Sequence, residues 1–173
     1  MINLLDPLCD NAADWAALNN DTTNLANSGN YGAVCGGTYP LEFDKANGTA
    51  NTKYALIYRT GDYTAERKAN IINLTDRLNW LVYVSATTNV AAAVVRLGRD
   101  ASNYIEYRFA DSSITAAKWQ LCSVQLGDGY EVGTGVDLRR FYWLGVGVYF
   151  DAETDVLADI GVNWLSINEA CPV

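Results

Sequence analysis

The chain contains no histidine, so the usual general base of neutral-pH chemistry is missing. None of its serines or four cysteines has a partner with which to form a nucleophilic triad, which excludes acyl transfer. The side chains with chemistry to offer are aromatic. In the run from Phe141 to Phe150, Leu144, Val146, Val148 and Phe150 alternate with Trp143, Gly145, Gly147 and Tyr149. A strand there turns its apolar set one way and its aromatic and glycine set the other. Two glycines between aromatics make a shallow trough with a ring at each end. Pyranose C–H faces stack on such rings while polar side chains bond the hydroxyls. Tyr83, Tyr104, Glu106 and Arg108 are expected on neighbouring strands, so the glycan-binding candidates are Trp143, Tyr149, Tyr83, Tyr104 and Arg108. The same pattern also fits Trp143 and Tyr149 covered by a loop or by another subunit, with the glycines merely allowing the close approach.

Other chemistry is poorly provided for. A polysaccharide lyase needs a Tyr or Lys base beside a group that neutralises the substrate carboxylate, and Tyr104 with Arg108 is only a generic match. Cys9, Cys35, Cys122 and Cys171 lack the CxxC spacing of a zinc site. Cys122 alternates with Val124 and Leu126 and reads as a small buried hydrophobe. Cys9 and Cys171 lie near the two ends and form either a bridge or, in a reducing cytoplasm, two free thiols.

The elements that must position these residues are strands. Half of the 173 residues are apolar, enough to bury a core in one domain spanning 1–173. Period-two alternation, rich in Thr, Val, Ile and Tyr, predicts strands over residues 39–44, 53–60, 77–87, 90–98, 104–110, 119–126, 142–150 and 155–167. Residues 98–103, with Gly, Asp and Asn, predict a tight hairpin turn. Only residues 10–18 look helical, and they predict a capped single turn. Eight antiparallel strands with one buried face each predict an all-β, two-sheet sandwich. The net charge of -8, with no basic stripe, argues against nucleic acid as a partner. The longest apolar runs, 90–95 and 141–150, fall short of the roughly 20 residues of a membrane helix, so no membrane insertion is expected.

Three segments carry a resemblance: VRLGRDASNY from Val95, WQLCSVQL from Trp119 and IGVNWLSI from Ile160. With Asp14-Trp15 ahead of a glycine-containing stretch and the alternating Leu41, Phe43 and Asp44, they are similar, across nearly the whole chain, to the jelly-roll domains of carbohydrate-binding modules. The resemblance implies an antiparallel jelly-roll β-sandwich, polysaccharide as a partner, and a structural calcium between the N-terminal segment and the last strand. Asn163 stands where that group places an acidic residue, so Asp6, Asp10, Glu42 or Asp44 would have to supply the carboxylates. The metal candidates are Asp6, Asp10 and Asn163. Glu153-Thr154-Asp155 resembles the acid pair of jelly-roll glucanases, but Ala158 replaces the next acid of that motif. A glycosidase is therefore not expected.

The chain opens at Met1 with no signal-peptide pattern. With no catalytic domain attached, the leading expectation is a non-enzymatic bacteriophage virion protein. It would be a capsid decoration, head fibre or tail component made in the host cytoplasm and carried on the particle surface. Its partners would be other virion subunits or itself, as a homotrimer, with a candidate glycan-binding face. The alternative is the carbohydrate-binding module of a secreted protein, and the third reading is a small lyase or glycoside hydrolase.

Overall fold

The computed structural model describes residues 3–6, 11–29, 39–61 and 73–168. Within them lie β1 (Asn3–Asp6), β2 (Ala16–Ala17), β3 (Thr22–Asn27), β4 (Leu41–Lys45), β5 (Tyr54–Thr60) and β6 (Arg77–Val84). They are followed by β7 (Val90–Asp100), β8 (Asn103–Ala110), β9 (Trp119–Gln125), β10 (Tyr130–Val132), β11 (Trp143–Phe150) and β12 (Leu157–Ile167). Sheet A has the order β3-β4-β12-β6-β9, and β1 pairs with β12 beyond the stretch used by β4. Sheet B has the order β10-β8-β7-β11-β5-β2. Every pairing is antiparallel, as expected of a jelly-roll β-sandwich.

The core follows from the alternation. Leu41 and Phe43 of β4, Leu78, Trp80, Val82 and Val84 of β6, and Ile160 and Val162 of β12 point inward from sheet A. Ala55 and Ile57 of β5, Ala93, Val95 and Leu97 of β7, and Leu144, Val146 and Val148 of β11 meet them from sheet B. Each fully buried Val, Leu or Phe side chain contributes roughly 1.5–3 kcal/mol. Trp80 sits edge-on to Phe109, with ring centroids 6.5 Å apart. Cys122 is fully buried with a free thiol, as its alternation predicts, and burial pushes that thiol's pKa up. Cys9, Cys35 and Cys171 lie outside the described residues, and with them the candidate terminal bridge.

The hairpin is where it was predicted, although β7 runs two residues further, to Asp100. Asp100 Oδ1 accepts from the backbone amides of Ser102 and Asn103, at 2.9 and 3.0 Å, and so closes the turn. The predicted helical turn is the 3-10 segment Ala12–Asp14, capped by Asn11. Four strands were not expected: β1, β2, β3 and β10. Three of them have four residues or fewer, too short for a period-two signal. In β3 the pattern breaks at Asn24, whose φ of 56° accompanies a bulge between Thr23 and Ala26.

Candidate functional site

The antiparallel register assembles one continuous row of side chains across the outer face of sheet B. Tyr130 of β10 lies opposite Glu106 of β8, Glu106 opposite Arg96 of β7, Arg96 opposite Gly145 of β11, and Gly145 opposite Tyr58 of β5. The next row places Tyr104 opposite Gly98, and Gly98 opposite Trp143. On the other side, Arg108 faces Val94, which faces Gly147, and beyond it Tyr149 faces both Ala92 and Tyr54. Five aromatic residues from three strands, Tyr54, Tyr58, Tyr104, Trp143 and Tyr149, thus share this face with Arg96, Glu106 and Arg108.

Gly145 makes room for the Trp143 indole. A Cβ at Gly145 would lie 2.7 Å from Trp143 Cη2 and 3.0 Å from Cζ3, so the ring lies over the glycine. It is stacked at 5.9 Å on Tyr58 and sits 6.0 Å from Tyr104. Trp143 is only 3% exposed. This agrees with a covered ring rather than an open stacking platform, and the rings against it here are Tyr58 and Tyr104. Gly145→Ala is expected to displace the indole and cost about 1–3 kcal/mol, the usual penalty for overpacking. Denaturant melts followed by tryptophan fluorescence will show it, and an unchanged midpoint would refute the assignment of Gly145 as the seat of the ring.

Beneath the rings lies a charged network. Glu106 Oε2 accepts from Arg96 Nε at 2.8 Å and from the Tyr149 hydroxyl at 2.9 Å. Glu106 Oε1 accepts from Arg108 Nε at 2.6 Å. Arg96 also donates to the Tyr149 oxygen. Its guanidinium carbon lies 4.4 Å from the Tyr104 ring centre and 5.0 Å from that of Tyr54. Burial works against the Arg96 charge, but Tyr149, Glu106 and Tyr104 outweigh it and raise its pKa further. Burial, opposed by Arg96 and aided by Glu106, pushes the Tyr149 hydroxyl up to about 12. Tyr104 is likewise raised, chiefly by burial. Near neutral pH both phenols stay protonated, which makes them hydrogen-bonding groups and poor bases.

Two surface depressions meet at Arg108, whose side chain is 60% exposed. One, of about 410 Å³, is lined by Glu106, Arg108, Asp128 and Tyr130. The other, of about 440 Å³, is lined by residues that include Lys53, Ala92, Arg108, Ala110 and Tyr149. Tyr130 is 71% exposed and stands at the outer end of the first. Tyr104, Tyr149, Trp143 and Arg108 are therefore brought together as expected. Tyr83 is not. It lies on β6 of sheet A, 5.7 Å from Trp119, because its strand pairs with β9 and β12 rather than with β8. Tyr54, Tyr58, Arg96 and Tyr130 were not anticipated. The alternation of β5 already sets Tyr54 and Tyr58 on one face, whereas Arg96 and Tyr130 become visible only through cross-strand register.

Of the metal candidates Asp6, Asp10 and Asn163, only Asn163 lies wholly within the described residues. Asn163 is fully buried on β12, opposite Leu81. Asp6 is opposite Leu165 in the β1–β12 pairing, but its side chain and the whole of Asp10 lie outside the described residues. Among the described residues no cluster of three or more acidic or cysteine side chains could hold an ion, and Glu42 and Asp44 take their places on β4. Likewise, no helix among them is long and apolar enough to cross a membrane.

No protein-family model and no curated protein matches the sequence. Solved structures do match. A family 11 carbohydrate-binding module from Clostridium thermocellum, solved with a β-1,3-1,4-mixed-linked tetrasaccharide, superposes with a TM-score of 0.60 at 8% identity, covering 99% of this chain and 98% of that one. A family 28 module specific for non-crystalline cellulose gives 0.57 at 11% identity, over 96% and 95% of the two chains. A family 30 module of a C. thermocellum cellulosomal cellulase gives 0.52 at 12%, over 96% of each. Identities this low speak to architecture alone, and in architecture the chain has the jelly-roll β-sandwich of these carbohydrate-binding modules.

Proposed function

We propose that the protein is a non-catalytic carbohydrate-binding module that seats a polysaccharide chain across the outer face of sheet B. The observation that carries this reading is the pair of depressions meeting at Arg108. The first is bordered by the exposed ring of Tyr130 and lined by Glu106, the second is lined by Tyr149, and Arg96 holds both of these residues by hydrogen bonds. A sugar chain needs both parts: a ring for its C–H face and fixed donors and acceptors for its hydroxyls. The network is held in place before any ligand arrives, which lowers the ordering cost of binding. Similarity to carbohydrate-binding modules supports the reading at the level of fold. The virion role expected from the sequence draws no support from these neighbours and forms no part of the proposal.

Tyr130→Ala should weaken glycan binding about tenfold, or roughly 1.4 kcal/mol, with little change in stability because the ring is exposed. Affinity electrophoresis and calorimetry against soluble β-glucan, xylan and uronate polymers will measure it. A folded protein that no polysaccharide retards would refute the reading.

A further inference from the structure

We infer that the glycan seated on sheet B is anionic, carrying uronate carboxylates or sulfate esters. This deepens the proposed function and rests on it. The protein as a whole carries -8, so a cationic groove on it runs against the general field. Yet Glu106 is a single carboxylate shared between two guanidiniums, Arg96 on Oε2 and Arg108 on Oε1. Arg96 and Glu106 are buried, 3% and 4% exposed, and pair with each other, so the excess positive charge falls on Arg108, whose side chain is 60% exposed where the two depressions meet.

The second depression takes the excess further. Among the described residues its charged lining groups are Arg108 and Lys53, with no carboxylate beside them. Lys53 is tethered by its ammonium to the backbone carbonyl of Asp151 at 2.9 Å, which holds the charge at the rim without neutralising it. Arg108 gives its Nε to Glu106, and its guanidinium lies 4.5 Å from the Tyr149 ring centre. A guanidinium so held is a planar fork suited to a carboxylate or sulfate. In the first depression Asp128 joins Glu106 opposite Arg108. The groove is therefore asymmetric: neutral-sugar chemistry suits the Tyr130 end, and an anionic substituent suits the Lys53 end.

The test is calorimetry and affinity electrophoresis with polygalacturonate, alginate and a sulfated carrageenan. Carboxyl-reduced polygalacturonate, mixed-linked β-glucan and arabinoxylan serve as neutral partners. The expected result is at least tenfold tighter binding to one of the anionic polymers than to any neutral one, weakening about tenfold between low and high salt as screening demands. Arg108→Gln and Lys53→Gln should each lower that affinity five- to tenfold, with Arg108→Lys in between. The uronate and sulfate arms tell the two anions apart. Equal or tighter binding to the neutral polymers, insensitive to salt and to both variants, would overturn the anionic inference and leave the glycan-binding reading standing. Retention on none of the six would overturn both. Lys53 is exposed and bonds the Asp151 carbonyl rather than Glu106, so its variant keeps the test interpretable if Arg108→Gln folds poorly.

Discussion

Glu106→Ala is expected to destabilise the protein by about 3–5 kcal/mol, the range found when one partner of a buried ion pair is removed. The guanidinium of Arg96 would remain 3% exposed with no carboxylate beside it, and arginine has no neutral form to retreat to. The rings of Tyr104 and Tyr54, at 4.4 and 5.0 Å, offset part of this, since a desolvated cation–π contact contributes about 2 kcal/mol. Glu106→Gln keeps an acceptor but no charge and should lie between wild type and Glu106→Ala. The pair is better assessed by replacing both members. Arg96→Met with Glu106→Leu should recover most of the lost stability, because apolar groups of similar volume do not need each other's charge. Glycan retention should not recover, because the sheet-B network would be gone. Urea melts of the singles and the double measure this. A loss below 1 kcal/mol in Glu106→Ala would show that water reaches Arg96 after all.

That network also marks the limit of what the sequence reveals. Trp143, Gly145, Gly147 and Tyr149 could be assigned to one face of β11 because alternation within a strand is a local property. Whether Trp143 is presented or laid flat depends on its own glycine two residues on, together with Tyr58 and Tyr104 from other strands. Arg96, lying in the run VVRLG, carries no local sign that it pairs with Glu106 ten residues away. Only the register of β7 against β8 brings them opposite. Tyr83 illustrates the converse: the alternation of β6 marks it as a strand, but alternation does not say to which sheet a strand belongs. Tyr130 belongs to a three-residue edge strand, below the length at which a period of two is detectable. Long central strands were legible and edges were not, because an edge strand is fixed by its neighbour more than by its own pattern.

The second large effect is expected immediately before β3, at a residue with no evident motif. Asp21 is fully buried, and its Oδ2 accepts from the amide and hydroxyl of Thr52 at 2.8 and 2.9 Å. Its Oδ1 accepts from the amide of Ala50 at 3.1 Å. Lys45, the third inward-facing residue of β4, sets its ammonium 3.5 Å from Oδ2 and donates to the carbonyls of Ala46 and Glu153 at 2.8 and 3.1 Å. Gly48 completes the packing, since a Cβ there would lie 2.5 Å from Asp21 Oδ1. Asp21→Ala strands a buried ammonium and removes the acceptor of three donors, so a loss of about 3–5 kcal/mol at pH 7 is expected. The pH dependence has a definite sign. Burial alone would raise the Asp21 pKa, but the Thr52, Ala50 and Lys45 donors overcome it and leave it below the ordinary aspartate value. A carboxyl with a depressed folded-state pKa stabilises above its unfolded value, near 4, and loses that contribution as pH falls through the folded one. The gap between wild type and Asp21→Ala should therefore be full at pH 7 and narrow steadily below about pH 4, as read by urea melts across that range. A gap that held constant down to pH 2 would contradict the assignment of the carboxylate as the stabilising species. Because Thr52 precedes Lys53, the same substitution loosens the segment that carries the cationic rim of the groove. Any anionic glycan should then bind more weakly to Asp21→Ala even at temperatures where the sandwich remains folded.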